Sequence, residues 1–178
     1  MLFRLLILPV LLTAAFPVSA IELKKFNLGA GYYSLQLYDE ADTYDSDRFN
    51  GISLSASYAF SDNIALQATY YELRKGDFAY SDADGRDVFL YAGNGLATPG
   101  GKWYVGAGYF NEQWHASSAS NTFNGFQLGG GFGYNGEIIA LDLRLSFRDT
   151  DDYDNTLGTQ STRIVTAGVL NLVLSARF

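Results

Sequence analysis

Between Ser161 and Phe178 the side chains alternate at every second position. Ile164, Thr166, Gly168, Leu170, Leu172, Leu174, Ala176 and Phe178 form one almost wholly apolar parity, while Arg163, Asn171, Ser175 and Arg177 stand on the other. A period of two is an extended strand with one greasy and one partly polar face. The sequence ends on an aromatic, which needs an apolar setting. The lipid–headgroup boundary supplies one, since aromatic rings settle at that level.

Seven further segments read as strands, over residues 26–38, 51–60, 64–73, 87–97, 102–114, 123–134 and 138–148. The last is the clearest, with Ile139, Leu141, Leu143, Leu145 and Phe147 set against Asp142, Arg144, Ser146 and Arg148. Only the fourth segment shows no facing. Long connections at residues 39–48, 74–85, 115–122 and 149–160 alternate with short turns at 61–63, 98–101 and Asn135-Gly136; Asn-Gly is a strong hairpin signal. Strict alternation of long and short predicts an all-β, eight-stranded antiparallel up-and-down transmembrane barrel, with both termini on the periplasmic side. Strands of roughly 10 residues at ~3.3 Å each, tilted about 40°, reach the ~25 Å of an apolar membrane band. Closure leaves no unpaired edge in lipid.

Alternation alone also fits a soluble calyx with its apolar face inside. The aromatics argue for the membrane. Tyr58, Phe60, Trp103, Tyr134 and Phe178 gather on the short-turn side, and Tyr38, Tyr70, Tyr109 and Phe147 on the long-loop side, as two girdles would. The other parity is rich in Gly and Ser, which suits a crowded interior. A mean hydropathy of −0.01 excludes a helical membrane protein and is what a half-lipid-facing barrel averages to. With no Cys, a disulfide-stapled fold is excluded.

These features resemble the small Gram-negative outer-membrane barrels of the OmpA/OmpX type, over the whole of residues 21–178. The resemblance implies an integral outer-membrane protein in contact with lipid and lipopolysaccharide, probed at its last strand by the barrel-assembly machinery. Phe178, Leu174 and Leu172 fit that assembly signal, while Ala176 stands where another aromatic is common and Val173 where a glycine often is. Residues 1–20 read as a secretory signal, with Arg4, an apolar run from Leu5 to Leu12, and small residues at Val18-Ser19-Ala20. No cofactor, metal or nucleic-acid partner is expected, and a monomer is.

Asp142 and Arg144 share a face with no lipid-compatible partner. Both are expected in the lumen, since Arg144 toward lipid near mid-membrane would cost ~2–4 kcal/mol. Glu112 and Gln67 are the expected partners across the lumen, with Asn171 and Arg163 beside them. Gly106, Gly108, Gly129, Gly131 and Gly133 leave one wall bare, with Tyr33, Tyr71 and Tyr104 to fill the space opposite. Thirteen of the 19 acids fall in or beside three connections: Asp39, Glu40, Asp42, Asp45 and Asp47; Asp77, Asp82, Asp84 and Asp87; Asp149, Asp151, Asp152 and Asp154. Such clusters make a solvated, repulsive face or take up divalent cations through carboxylate oxygens; the first and third are the candidate cation loops. His115-Ala116-Ser117 resembles the His-x-Ser of outer-membrane lipid A deacylases, which are also small barrels. Three functions follow in order: a surface or structural protein with a plugged lumen, a narrow porin-like channel, and an outer-leaflet lipid-modifying enzyme.

Overall fold

The computed structural model describes residues 23–39, 47–75, 82–116, 119–149 and 165–178. Eight strands run in chain order: β1 Phe26–Asp39, β2 Asp47–Ala59, β3 Ile64–Lys75, β4 Asp82–Asn94, β5 Gly100–Ala116, β6 Ala119–Asn135, β7 Ile139–Arg148 and β8 Val165–Arg177. Each pairs antiparallel with its neighbours, and β1 pairs with β8, so the sheet closes. No helix among the described residues is long and apolar enough to cross a membrane.

Following paired residues once around gives the geometry. Gln36 leads through Gly168, Phe147, Leu128, Ala107, Leu90, Leu66 and Tyr58 to Phe26, ten residues earlier on β1. A stagger of that size in eight strands sets a tilt of roughly 40° and an interior that side chains can fill. The row also descends from the long-loop end to the short-turn end as it passes from β1 to β8 and onward.

One parity of every strand faces out, and through the middle of the wall it is apolar. Ile52, Leu54, Leu90, Val105, Leu128, Leu145 and Leu174 are all exposed, and Phe126 reaches 70 %. The nine girdle aromatics are exposed as well, at the two rims of this belt. A soluble calyx would hide these residues; here they form a surface suited to lipid.

Two of the differences from the sequence reading bear on the site. β4 starts at Asp82 and ends at Asn94 rather than covering 87–97, because Asp82 and Asp84 alternate outward against inward Ala83 and Gly85. Beyond it, Leu96 and Ala97 are buried as a folded turn, not as strand. Residues 115–122 are not a long loop: β5 and β6 remain paired up to Ala116 and Ala119. Beyond the girdle, their outward positions are Gln113, His115, Ser120, Thr122 and Asn124, polar residues that suit a hairpin standing clear of the belt.

Candidate functional site

The lumen is filled in three layers. On the long-loop side lies an apolar layer of Leu35, Leu37, Phe49, Leu73, Phe110 and Phe123. Trp114 packs there between Phe49 and Phe123, at ring separations of 4.6 and 5.0 Å.

Below it runs a chain of charges. Arg148 Nη1 meets Glu112 Oε2 at 2.6 Å, both side chains being fully buried. Glu112 also accepts from Tyr71 Oη at 3.0 Å and from Trp114 Nε1 at 2.9 Å. Arg148 Nη2 donates to Tyr71 Oη at 2.8 Å and Tyr33 Oη at 2.7 Å, and its guanidinium lies 4.2 Å from the Phe110 ring centre. Tyr33, stacked on Tyr71, donates onward to Asp87 Oδ2 at 2.9 Å. The same oxygen takes Arg144 Nη2 at 2.7 Å. Arg144 Nη1 completes the row, donating to Gln67 Oε1 at 3.2 Å and Tyr91 Oη at 3.3 Å. Buried charges are tolerated only when paired and hydrogen-bonded in this way.

Toward the short-turn side Asp142 binds Lys102 and accepts from Tyr104. Beneath it the β4–β5 turn folds in as a floor. Asp62 holds that turn by accepting from the amides of Gly95, Ala97 and Thr98 and from the Thr98 hydroxyl, at 2.9 to 3.2 Å. Asn135 donates to the carbonyls of Gly95 and Thr98, and Arg177 Nη2 to that of Ala97 at 2.6 Å. Gly95 has a φ of 75°, a conformation L residues rarely adopt. Partial burial works to raise the Asp62 pKa, but the hydrogen bonds from Thr98, Ala97 and Gly95 outweigh it and hold the carboxyl below the usual range. Between floor and charge chain lies a cavity of about 20 Å³, lined by Asn27, Gln67, Lys102, Tyr104 and Asp142 among others. That is room for about one water.

The expected lumen residues therefore enter different pairs. Gln67 meets Arg144, but the carboxylate on Arg144 is Asp87, which sequence reading grouped with the loop acids. Glu112 pairs with Arg148, and Asp142 with Lys102. Asn171, 1 % exposed, accepts from Ser53 at 3.0 Å; Arg163 lies outside the described residues. Asp87 could have been found from parity, since Asp87, Phe89 and Tyr91 alternate with Val88, Leu90 and Ala92. Tyr33, Tyr71 and Tyr104 are buried, and Phe89 lies across the glycine wall: a Cβ on Gly108 would come within 2.6 Å of its Cδ2.

Phe178, Leu174 and Leu172 face outward, and Phe178 closes the seam by exchanging backbone hydrogen bonds with Phe26. Of the candidate cation ligands, Glu40, Asp42, Asp45, Asp151, Asp152 and Asp154 lie outside the described residues, as do the side chains of Asp39 and Asp47. Asp149 is exposed at the head of β7. No group of three metal-type ligands occurs among the described residues. His115 Nε2 lies 2.8 Å from Asp84 Oδ1, and Ser117 is outside the described residues.

A closed eight-stranded barrel, apolar outside and filled with paired charges inside, has the architecture of the small bacterial outer-membrane barrels. Solved structures of that class match it over nearly their full length. The Yersinia pestis attachment invasion locus protein Ail is 19 % identical, with a TM-score of 0.53, over 88 % of this chain and 100 % of its own. Neisserial surface protein A is 15 % identical, with a TM-score of 0.59, over 86 % and 97 %. OprG from Pseudomonas aeruginosa is 12 % identical, with a TM-score of 0.51, over 89 % and 97 %. At such identities the likeness is one of fold. No protein-family model and no curated protein matches the sequence.

Proposed function

We propose that this chain is an integral outer-membrane barrel with a closed lumen, working through its outer surface rather than as a channel or an enzyme. Both termini and the short turns face the periplasm, and the long connections and the β5–β6 hairpin face outward. The observation that carries this reading is the unbroken chain Glu112–Arg148–Tyr33–Asp87–Arg144, sealed above by an aromatic layer and below by the folded turn. Solute would have to separate two buried ion pairs to pass, each costly to break. A surface role also accords with the attachment protein among the barrels of like fold. The deacylase reading would need His115, held by Asp84, to activate a serine through its other ring nitrogen, and deacylation of lipopolysaccharide by the purified protein would favour it.

Planar-bilayer recording on refolded protein is the test. Silence is expected at salt concentrations where porins conduct. Steady, uniform channels from the unmodified protein would replace this reading with a narrow pore.

A further inference from the structure

The outward wall is not smooth, and one of its hollows combines apolar walls with a charged end. At the loop end of β7, β8 and β1 a groove of about 250 Å³ is lined by Tyr38, Leu145, Phe147, Gly168, Leu170 and Arg48, with Ser34 and Gln36 at its base. Gly168 creates it. A Cβ there would meet nothing nearer than 4.0 Å, while its paired neighbour Phe147 and nearby Tyr38 raise rings on either side. For scale, an apolar cavity of roughly 150 Å³ accommodates a benzene.

Polarity along the groove is ordered. Paired rows descend from β2 through β1 and β8 to β7, so Arg48 and Gln36, which pair with each other, stand at its loop end. Gly168 pairs with Gln36 and Phe147, and Leu170 with Ser34 and Leu145, a step deeper. Phe147 belongs to the loop-side girdle, so the groove crosses the girdle from a mouth that holds Arg48 to an apolar foot. Arg48 is exposed on the outward face, and no ion pair joins it to another described residue. A hydrocarbon chain with an anionic, hydrogen-bonding head matches this order, because a guanidinium binds phosphate in a bidentate, charge-assisted manner.

We infer that this groove seats one acyl chain of a phosphorylated outer-leaflet glycolipid of the lipid A type, with Arg48 on its phosphate. The inference rests on the outer-membrane orientation proposed above. It differs from general solvation by lipid in predicting one site, on one side of the barrel.

Refolded protein in neutral detergent micelles with EDTA is doped with lipid A, dephosphorylated lipid A or phosphatidylglycerol, and bound lipid is read by native mass spectrometry. EDTA removes retention through divalent bridges to acids. The unmodified protein should keep one lipid A per barrel. Arg48→Gln should lower retention about tenfold, the scale of a lost charge-assisted bond, and Gly168→Leu should fill the groove and abolish it. Each protein is checked for the shift in gel migration between unboiled and boiled samples that marks a closed barrel. If Gly168→Leu fails that check, Gly168→Ala and Arg48→Gln still decide. An intact barrel holding lipid A no better than either variant overturns the groove alone. Equal retention of phosphatidylglycerol or dephosphorylated lipid A overturns the assigned ligand. An unmodified protein without the migration shift overturns the outer-membrane reading and the groove with it.

Discussion

At the scale of single residues, the lumen charges stabilise only as sets. Arg144 and Asp87, with side chains 1 % and 0 % exposed, have left water entirely. Removing one strands the other. Arg144→Ala should destabilise the barrel by about 3–5 kcal/mol, whereas Arg144→Met with Asp87→Leu should cost far less. Urea titrations of refolding in detergent measure both, and equal losses would mean that the pair carries net stability of its own. Asp62 makes a pH-dependent case outside the membrane span. Its folded pKa is lowered, so its contribution is complete above the unfolded value of about 3.9 and disappears as pH falls through the lower folded value. Asp62→Asn should therefore be less stable than the unmodified protein at pH 7, and the gap should narrow as pH falls below the unfolded value. A difference that stayed constant across that range would remove the carboxylate from the account.

At the scale of elements, legibility followed periodicity. β7 was readable because outward Leu141, Leu145 and Phe147 bracket inward Asp142, Arg144, Ser146 and Arg148 on a strict period of two. β4 was not, because Asp82, Asp84, Gly85 and Asp87 resemble a loop when counted by composition, and only register places Asp87 opposite Arg144. The floor was hidden for another reason. Leu96 and Ala97 are apolar enough to extend a strand, and their tucked position depends on hydrogen bonds accepted by Asp62 and donated by Asn135 and Arg177, all distant in sequence. The β5–β6 hairpin reads as a loop because its residues turn polar once they leave the belt. Bare glycines on β5 and β6 did mark a wall, but the ring that covers Gly106 and Gly108 is Phe89, on the strand whose facing the sequence left open. That contact gives an element-scale prediction. A Cβ at Gly108 would meet the Val88 carbonyl oxygen at 2.4 Å as well as the Phe89 ring at 2.6 Å, so Gly108→Val should strain both and cost about 1–3 kcal/mol. Adding Phe89→Ala should recover part of that loss, although Phe89→Ala is itself destabilising. If the two losses simply add, the ring does not brace the glycine wall.

At the scale of the molecule, two opposite solvents meet one sheet, and the period of two sorts residues between them. Inside, polar groups are mostly satisfied by one another across the lumen, although Asp87 Oδ1, Arg144 Nε and Asn171 Nδ2 find no partner among the described residues. Outside, burial is completed only by lipid, and the exposed leucines and phenylalanines that would aggregate in water become the anchoring belt. Depth in that belt should set the cost of a charge. Leu90 stands midway along the outward positions of β4, between Arg86 and Asn94, and is 53 % exposed; Thr122 is also outward and exposed but belongs to the polar hairpin. Leu90→Arg should destabilise the barrel folded into phospholipid vesicles by ~2–4 kcal/mol, as cations near the bilayer midplane do, while Thr122→Arg should change it by ~0–1 kcal/mol. Reversible unfolding in guanidinium, followed by Trp fluorescence, reads both. The contrast should shrink in detergent micelles, which deform around a charge more readily than a bilayer. Equal small effects at the two positions would mean that the belt faces water or protein, and the soluble calyx would have to be taken up again.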